Sequence, residues 1–281
     1  MSLSLDKKQV CRAFGRAARG YDEAAVLQRR VADELVGRLA LMRLQPRRVL
    51  DVGTGTGYCL RLLEAYYGQP ALGLDLAWPM LQGIRQAAHW WRRPRLICAD
   101  AERLPVAAGS IDLLVSSLAL QWCDPDRAFA EFQRVLAPGG LLLFATFGPD
   151  TLREVRDAWA SVDDHPHVHP FFDMHDLGAA LARAGFSEPV LDVDRLTVCY
   201  PDTRSVFRDL KGLGARNASH GRFTGLTGKN RFRRFEQALE MGRRDGLLPI
   251  QYEVVYGNAW QSDHAAGTDS GVHPLRWHPR T

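Results

Sequence analysis

Three glycines at alternate positions carry the strongest chemical signal in this chain. Gly53, Gly55 and Gly57 directly follow the short apolar run at residues 49–52, which contains Asp51. Glycine adopts backbone dihedrals that are closed to residues with a Cβ, and it leaves no side chain between the main chain and a ligand. A strand that runs through such a loop into a helix is suited to bind a nucleoside, so we predict a cofactor site here.

The spacing of these glycines distinguishes between kinds of nucleotide site. The dinucleotide fingerprint G-x-G-x-x-G requires a glycine where the chain has Tyr58, and the phosphate loop G-x-x-x-x-G-K-[ST] is absent. The remaining pattern, G-x-G-x-G, resembles the glycine loop of class I S-adenosylmethionine methyltransferases. A strand, turn and helix that bind no ligand is the alternative at this point.

Two acids at the ends of later strands strengthen this interpretation. Residues 71–76 read as a second strand with Asp75 near its end, 22 residues beyond Gly53, where a carboxylate can accept both ribose hydroxyls. Residues 95–100 read as a third strand that ends in Asp100. The resemblance to methyltransferases implies that Asp100 accepts a hydrogen bond from the adenine amino group. Both acids could instead cap the helices that follow them.

The N-terminal segment contributes further candidates. Residues 14–28 resemble the opening helix of a methyltransferase subfamily that folds over the methionine end of the cofactor, and Tyr21 and Gln28 are its candidate contacts. The alternative is a rim helix anchored by Tyr21. The complete predicted cofactor set is Tyr21, Gln28, Asp51, Gly53, Gly55, Gly57, Asp75, Leu76, Asp100, Ala101 and Ser117.

Composition limits the class of protein. With 281 residues, of which 46% are apolar, the chain can bury a large core as one α/β domain with an insertion. The start contains no signal peptide, and no apolar run approaches the roughly 18 residues that cross a bilayer, so we expect a soluble, cytoplasmic protein without a membrane partner. The five cysteines form no C-x-x-C pair and are expected to be buried, reduced thiols.

The charge of the chain indicates a mildly basic surface. A net charge of +4 and a pI near 8.9 permit an acidic protein partner without requiring one, and we expect no nucleic-acid partner. One arginine cluster, Arg12, Arg16 and Arg19, is interpreted first as a solvated helix face.

Strand and helix patterns alternate through the first half of the chain. A near-continuous apolar run at 111–118 predicts a central fourth strand, Asp124 begins a helix that extends to Leu136, and residues 141–147 predict a fifth strand. The pattern predicts an α/β fold with a Rossmann-like, doubly wound sheet that is mostly parallel and has one antiparallel strand. Its ligands should lie outside the carboxyl ends of the strands.

The second half of the chain has a different rhythm. Helices are predicted at 150–162, 173–184, 206–215 and 229–244, and strands at 190–200 and 250–256. The long stretch between the last two strands indicates a lid over the cofactor edge. We therefore predict one domain over residues 1–260, with an N-terminal rim helix in 7–45 and lid elements at about 150–185 and 201–248. Residues 261–281, rich in Gly, His, Pro and Ser, are predicted to be disordered.

Blocks in the second half resemble one family within the class I methyltransferases. They read FGPDTLREVR at 147–156, HDLG at 175–178, RAGF at 183–186, DLKGLGARN at 209–217, GLTGK at 225–229 and YEVVYGNAW at 252–260. This order of blocks resembles the malonyl-carrier-protein O-methyltransferase family of biotin synthesis. The resemblance implies methyl transfer from S-adenosylmethionine to the free carboxylate of a malonyl thioester on acyl carrier protein, an acidic partner.

The chemistry of that substrate fits what the sequence lacks. A carboxyl group with an ordinary pKa of about 4 is already a nucleophile at neutral pH, so no general base, and hence no catalytic residue of that kind, is expected. The segment after the fourth strand carries neither the amine-methylating motif Asn/Asp-Pro-Pro-Tyr/Phe nor a proline-preceded nucleophilic cysteine. Candidates for a dry substrate pocket are Trp122, Phe147, Phe171, Phe172 and Tyr200, and candidates for holding the carboxylate are Lys211 and Arg216.

A cluster of histidines and several competing functions also need to be considered. His165, His167, His169 and His175 have metal-like spacing, but they lie around prolines without a cysteine partner, so no metal site is expected. The competing functions are a methyltransferase-like assembly factor that hydroxylates a protein arginine, a small-molecule methyltransferase, and a cofactor-bound scaffold without catalysis.

Overall fold

The protein is built around one seven-stranded sheet. The computed structural model describes residues 5–88, 94–214 and 228–262. The strands of the sheet are β1 (Val49–Val52), β2 (Leu72–Asp75), β3 (Arg95–Cys98), β4 (Ile111–Ser117), β5 (Leu136–Phe147), β6 (Phe186–Tyr200) and β7 (Leu248–Gln261). Their order across the sheet is β3-β2-β1-β4-β5-β7-β6.

Strand direction confirms the predicted sheet. The first five strands pair in parallel, and β7 runs antiparallel both to β5 and to β6. The carboxyl ends of β1, β2, β3, β4 and β5 therefore meet at one edge, which is where the glycine loop and the predicted acids lie.

Ten α-helices in the described part of the chain flank the sheet. They are α1 (Lys7–Ala17), α2 (Tyr21–Ala24), α3 (Val26–Gly37), α4 (Tyr58–Tyr67), α5 (Trp78–Ala87), α6 (Pro125–Val135), α7 (Arg153–Ala160), α8 (Met174–Arg183), α9 (Thr203–Gly212) and α10 (Lys229–Glu240). The predicted rim helix in 7–45 is thus three helices followed by a 3-10 turn at Arg38–Leu41. Within the described ranges, no helix is long and apolar enough to cross a membrane.

The two faces of the sheet bury alternate side chains of the same strands. Leu113 and Val115 pack with α3 and α4 on one face, whereas Leu114 and Phe144 pack with α6 and α8 on the other. Successive residues of a strand point to opposite faces, so a strand that is covered on both sides needs the near-continuous apolar run that the sequence shows at 111–118. The sheet is therefore a rigid platform for its carboxyl edge.

The region predicted as a lid divides into two parts. Helix α8 begins at its Asp173 cap and packs against α6 and β6, with Leu177 and Leu181 fully buried in the core. This half of the predicted lid at 150–185 is a layer of the fold. By contrast, α7 and α10 stack over the site through Trp159 and Phe235, whose ring centroids lie 4.3 Å apart.

The last two strands are longer than predicted. They form an antiparallel ladder that extends from Tyr200 opposite Leu248 to Phe186 opposite Gln261. The edge strand β6 has one exposed face and interrupted alternation, and β7 contains Pro249 and Gly257, so local patterns show only the middle of each strand. Gln261 belongs to β7, and the rest of the predicted disordered tail lies outside the described residues from position 263 onward.

Candidate functional site

The glycine loop has the backbone that its sequence predicts. Gly53, Gly55 and Gly57 have φ values of 77°, 55° and 81°, in the left-handed region that side chains disfavour. A Cβ at position 53 would also collide with the Cβ of Ala119. The amide of Gly53 donates to the carbonyl of Leu74 at 2.7 Å, which ties the loop to β2. The loop is therefore held open as a backbone-lined cradle.

Asp75 is fixed by backbone donors on both of its oxygens. The amide of Gly55 donates to Oδ2 at 2.9 Å and that of Ala77 to Oδ1 at 2.7 Å. Burial raises the pKa of this carboxyl, although the two amides act in the opposite direction. A carboxylate oriented in this way keeps lone pairs for further donors, such as the hydroxyls of a sugar.

Asp100 lies beside Asp75 at the neighbouring strand end and is paired with a lysine of α1. The Nζ of Lys7 lies 3.0 Å from Oδ1 of Asp100 and 2.7 Å from Oε1 of Glu102. The amide of Glu102 donates to Oδ1 of Asp100 as well. Lys7 was not predicted as a site residue, because nothing local to residues 1–20 indicates a partner 93 positions away.

Asp51 lies beneath the loop rather than on its surface. Its side chain is only 1% exposed, and the hydroxyl of Thr54 donates to Oδ2 at 2.6 Å. Its Oδ1 is buried without any hydrogen-bond partner. Burial, aided by the charge of Asp75, raises the pKa of Asp51 to about 7 against the opposing bonds of Thr54 and Cys59. An unpaired acceptor at this depth can receive a donor from a ligand or from a water below it.

These residues surround a cavity, here called the glycine-loop cavity, of about 90 Å³. Most of the predicted cofactor residues line it, namely Tyr21, Gly53, Gly55, Asp75, Leu76, Asp100, Ala101 and Ser117. Gly57 and Asp51 lie outside its wall, and Gln28 lies on a different cavity. Lining residues that were not predicted include Lys7, Phe14, Met80 and Cys123. The donor and acceptor groups of this wall fit an adenosyl cofactor, with acids at two adjacent strand ends and a loop without Cβ atoms.

A second cavity of about 360 Å³, here called the aromatic cavity, lies next to the first. Four of the predicted substrate residues, Trp122, Phe147, Phe171 and Lys211, line it. Other lining residues, which the sequence analysis did not assign to the substrate, come mainly from α7 and α9 and from the loop after α7; they include Gln28, Thr151, Leu152, Trp159, His167, His169, Phe207, Leu210 and Tyr252.

The remaining predicted substrate residues have other positions. Tyr200 is buried behind the wall and shares a side-chain hydrogen bond with Tyr252, so it supports a lining residue rather than contacting the cavity. Phe172 is buried in the core that contains Leu177. Arg216 lies outside the described residues.

The charge in the aromatic cavity is sparse. Of the described residues that line it, Lys211 is the one with a permanent charge, and no carboxylate is among them. His169 is 5% exposed, and burial together with the charge of Arg156 lowers its pKa to about 4. His169 is therefore neutral at pH 7, and its Nε2 has no hydrogen-bond partner. The cavity thus combines apolar walls with one cation.

The histidines diverge instead of converging on a metal. His167 stacks on Trp159 at 3.7 Å and pairs with Asp163 at 2.9 Å, whereas His169 packs between Trp122 and Phe171. Over the described part of the chain, no group of three or more metal-ligating side chains occurs. Ring packing and the contact with Asp163 account for the positions of His167 and His169.

Two leucines are strained where the strands end. Leu118 follows β4 with φ 51° and lines the glycine-loop cavity, and Leu152 precedes α7 with φ 58° and lines the aromatic cavity. Bulky residues rarely adopt this conformation, and such strain concentrates at binding sites. Backbone bonds to Ala145 and Gln251, each 2.8 Å, hold these two turns.

Trp122 joins the two cavities. It lines both of them, and its ring meets Phe14 of α1 edge-on at 5.4 Å and His169 at 4.8 Å. A reacting atom bound at the glycine loop and a second molecule in the aromatic cavity would therefore meet beside Trp122. Such a geometry suits the transfer of a group between two ligands.

Known proteins share both the sequence and the fold of this chain. A family described as "Methyltransferase domain" matches residues 50–144. The malonyl-[acyl-carrier protein] O-methyltransferase of Halorhodospira halophila is 51% identical over 284 residues, which cover 97% of this chain and 96% of that protein. The protein of the same name from Laribacter hongkongensis is 49% identical over 286 residues, covering 98% and 96%.

Solved structures share the fold at low sequence identity. The YcgJ protein of Bacillus subtilis has a TM-score of 0.60 and 16% identity, covering 83% of this chain and 100% of that one. The [4+2]-cyclase SpnF has a TM-score of 0.53 and 20% identity, covering 83% and 82%. Because a cyclase is among these structures, the fold alone does not determine the reaction.

Proposed function

The chain belongs to the malonyl-[acyl-carrier protein] O-methyltransferase family, and from this premise we propose that it transfers a methyl group from S-adenosylmethionine to the free carboxylate of malonyl-[acyl-carrier protein]. The product is the methyl ester whose masked charge lets fatty acid synthesis extend the chain toward pimeloyl and biotin. An arginine-hydroxylating assembly factor and a small-molecule methyltransferase are not favoured, since near full-length relatives bear the malonyl name.

The observation that carries this proposal is the single cation in the aromatic cavity. Lys211 is the permanently charged residue among its described lining residues, and aromatic side chains are prominent among the others. Such a site favours a short acyl group that ends in one negative charge. A fully apolar acyl group would offer the ammonium no anionic partner.

We assign the cofactor to the glycine-loop cavity. S-adenosylmethionine supplies a methyl group on a positively charged sulfur, which makes that carbon open to attack by an anion. In this assignment Asp75 accepts the ribose hydroxyls and Asp100 accepts the adenine amino group, while Asp51 supports the loop from below through Thr54. Tyr21 forms part of the cavity wall.

The protein need not remove a proton in this reaction. A malonyl carboxyl has an ordinary pKa of about 4 and is ionised at neutral pH. The side chains around the cavity therefore act by holding the carboxylate and excluding water. Orientation of two reactants can contribute about 7 kcal/mol or more to lowering a barrier in the best cases. A dry pocket further favours neutralisation of opposite charges over their separation in water.

The roles of the walls follow from their positions. Trp122, Phe147 and Phe171 form the apolar surface against which the malonyl group packs, and Lys211 pairs with its carboxylate. A lysine offers a point charge, whereas a bidentate arginine would hold both oxygens and blunt their nucleophilicity. Gln28 of α3 lines the cavity directly. Tyr200 acts from behind the wall, through its hydrogen bond with the lining residue Tyr252.

The partner in this proposal is an acidic carrier protein that meets basic lid residues. We propose the cytoplasm as the compartment, since all five cysteines are free thiols, which suits a reducing environment. Cys59 and Cys123 are buried as predicted, while Cys98 and Cys199 are exposed, so the prediction of buried thiols holds for only part of the set.

Mass spectrometry of the carrier tests this function. Purified protein is incubated with S-adenosylmethionine and malonyl-carrier protein, and the mass of the carrier is followed. A gain of one methyl group supports the proposal. Methylation of a small quinone in its place, or oxidation of a protein arginine, would contradict it and favour one of the alternatives.

A further inference from the structure

A third cavity, here called the basic cavity, lies between α1 and α9 and has a volume of about 520 Å³. Four cationic side chains line it, Arg12 and Arg16 from α1, and Arg208 and Lys211 from α9. The other described lining residues are uncharged: Gln9, Val10, Ala13, Ala17, Gly20, Trp122, Gly212 and Gly214. A pocket with several positive charges and no acid attracts an anion.

The four cations are not held in close ion pairs, although the charge of Arg208 helps to lower the pKa of Asp202. Arg208 donates to the hydroxyl of Ser205 at 3.2 Å, and in the described part of the chain none of the four forms an ion pair with a carboxylate. Some other arginines do form close ion pairs, as in Arg48 with Asp112 and Arg134 with Glu131. The basic cavity therefore differs from an ordinary solvated face on which charges of both signs alternate.

The backbone also brings the two helices close together. Gly214, just beyond α9, has φ 66°, and a Cβ there would lie 3.2 Å from the backbone of Ala13 and Phe14. Gly212 is similarly close to Ala24, since its added Cβ would be 3.1 Å from that side chain. These glycines let α9 approach α1 and α2, so that cations from two separate parts of the chain face one pocket.

The basic cavity continues into the aromatic cavity. Lys211 and Trp122 line both, and Trp122 also lines the glycine-loop cavity. The three cavities therefore meet at Trp122, and the basic cavity also shares Val10 with the glycine-loop cavity. A substrate whose reacting end lies in the aromatic cavity and whose body extends away from the loop would pass between Arg12, Arg16 and Arg208.

We propose that the basic cavity binds the phosphate group of the arm that carries the acyl group. This inference rests on the proposed function, because a carrier protein holds its acyl thioester at the end of a flexible arm joined to the protein through a phosphodiester. Guanidinium groups bind phosphate oxygens through charge-assisted hydrogen bonds, and two arginines on one helix face match such a group. The phosphate anchors the arm while Lys211 meets the carboxylate.

Small substrates with and without the phosphate test this site. Wild-type protein is assayed with malonyl-pantetheine, with malonyl-phosphopantetheine and with malonyl-carrier protein, and KM is measured for each. We expect KM for malonyl-phosphopantetheine to be lower than that for malonyl-pantetheine by roughly tenfold or more, the size of one or two charge-assisted hydrogen bonds. The phosphorylated substrate without the carrier also separates the arm from contacts made by the carrier surface.

A pair of matched double variants locates the effect. In Arg12→Gln/Arg16→Gln the ratio of the two KM values should fall to about twofold or less, because two of the phosphate donors are removed. The control variant Lys8→Gln/Arg19→Gln also removes two positive charges, but from exposed positions on or just after α1 that do not line the cavity. It should retain the wild-type ratio of KM values. Melting temperatures of both variants check that α1 remains folded.

The outcomes separate this inference from the function on which it rests. Equal KM values for the two small substrates in the wild-type protein would overturn the phosphate site while leaving methyl transfer intact. An equal loss of the ratio in the control variant would also overturn it, since general attraction to a basic surface would then explain the preference. If no malonyl substrate is methylated at all, the proposed function itself fails.

Discussion

In the proposed cofactor site, Asp75 is the residue on which binding should depend most directly. Its two oxygens are aligned by the amides of Gly55 and Ala77, so a sugar meets a carboxylate that is already oriented. We expect Asp75→Ala to weaken binding of S-adenosylmethionine by about 1–3 kcal/mol, the cost of the lost hydrogen bonds, as measured by calorimetry. Asp75→Asn, which keeps one acceptor for the amides, should lose less. Unchanged affinity in the alanine variant would remove this assignment.

In the proposed substrate site, Lys211 selects a charged acyl group. Replacing it with methionine keeps much of the side-chain volume but removes the only permanent charge among the described lining residues of the aromatic cavity. We expect KM for malonyl-carrier protein to rise roughly tenfold or more in Lys211→Met. Lys229→Met removes a charge from the exposed start of α10 and serves as the control. Similar KM values in both variants would show that the carboxylate is held elsewhere.

His169 makes stability depend on pH in a defined window. Its pKa is lowered from 6.5 to about 4 by burial and by Arg156, so the folded state resists a proton that the unfolded chain accepts. Its stabilising contribution is therefore complete above pH 6.5 and is lost as pH falls toward 4, by at most about 3 kcal/mol. In urea unfolding between pH 7.5 and 4.5, His169→Phe should lose less stability than wild type. A parallel decline of both proteins would assign the dependence to other groups.

Helix α1 covers part of the proposed cofactor site. The glycine-loop cavity, at about 90 Å³, is well below the roughly 300–1,000 Å³ of small-molecule sites. Lys7, Val10 and Phe14 of α1 form part of its wall, and Gly15 packs against Pro79 of α5. We therefore expect α1 to move away from the strand ends when a whole cofactor binds, and the ion pairs of Lys7 to oppose that movement.

Hydrogen exchange of α1 measures this restraint. Lys7→Met removes the contacts with Asp100 and Glu102, which are partly exposed and so contribute modestly. We expect amides of Lys7–Ala17 to exchange about two- to fivefold faster in this variant when no cofactor is present. Lys8→Met, next to it but exposed, should exchange like wild type. Equal rates of amide exchange in α1 of the two variants would show that contacts other than those of Lys7 hold the helix in place.

The elements of the sheet could be predicted because each strand has a local signature. The apolar run at 111–118 and the glycines after β1 are contained within a few residues, and Asp124 and Asp173 mark the starts of α6 and α8 as caps. The function of α8 could not be predicted in this way. An amphipathic helix has the same pattern whether its apolar face covers a sheet or a ligand, so the lid prediction included a core helix.

Across the whole molecule, the cofactor side of the site was more predictable than the substrate side. The glycines and the two acids act from adjacent strand ends, whose neighbourhood follows from parallel topology. The aromatic cavity instead combines residues from distant segments, such as Gln28, Trp122, Phe207 and Tyr252. Their encounter depends on tertiary packing that a linear pattern does not contain. The substrate class was predicted instead from the order of the sequence blocks, which resembles that of the family to which the chain belongs.

The most direct test of the account is to find which atom receives the methyl group in a mixture of carriers. Malonyl-, acetyl- and unacylated carrier protein are combined with S-adenosylmethionine and the protein, and tandem mass spectrometry locates the added carbon. We predict a methyl ester on the malonyl carboxyl group and no change in the other two carriers. Methyl addition to the acetyl or unacylated carrier, or to a side chain of the carrier protein, would contradict it.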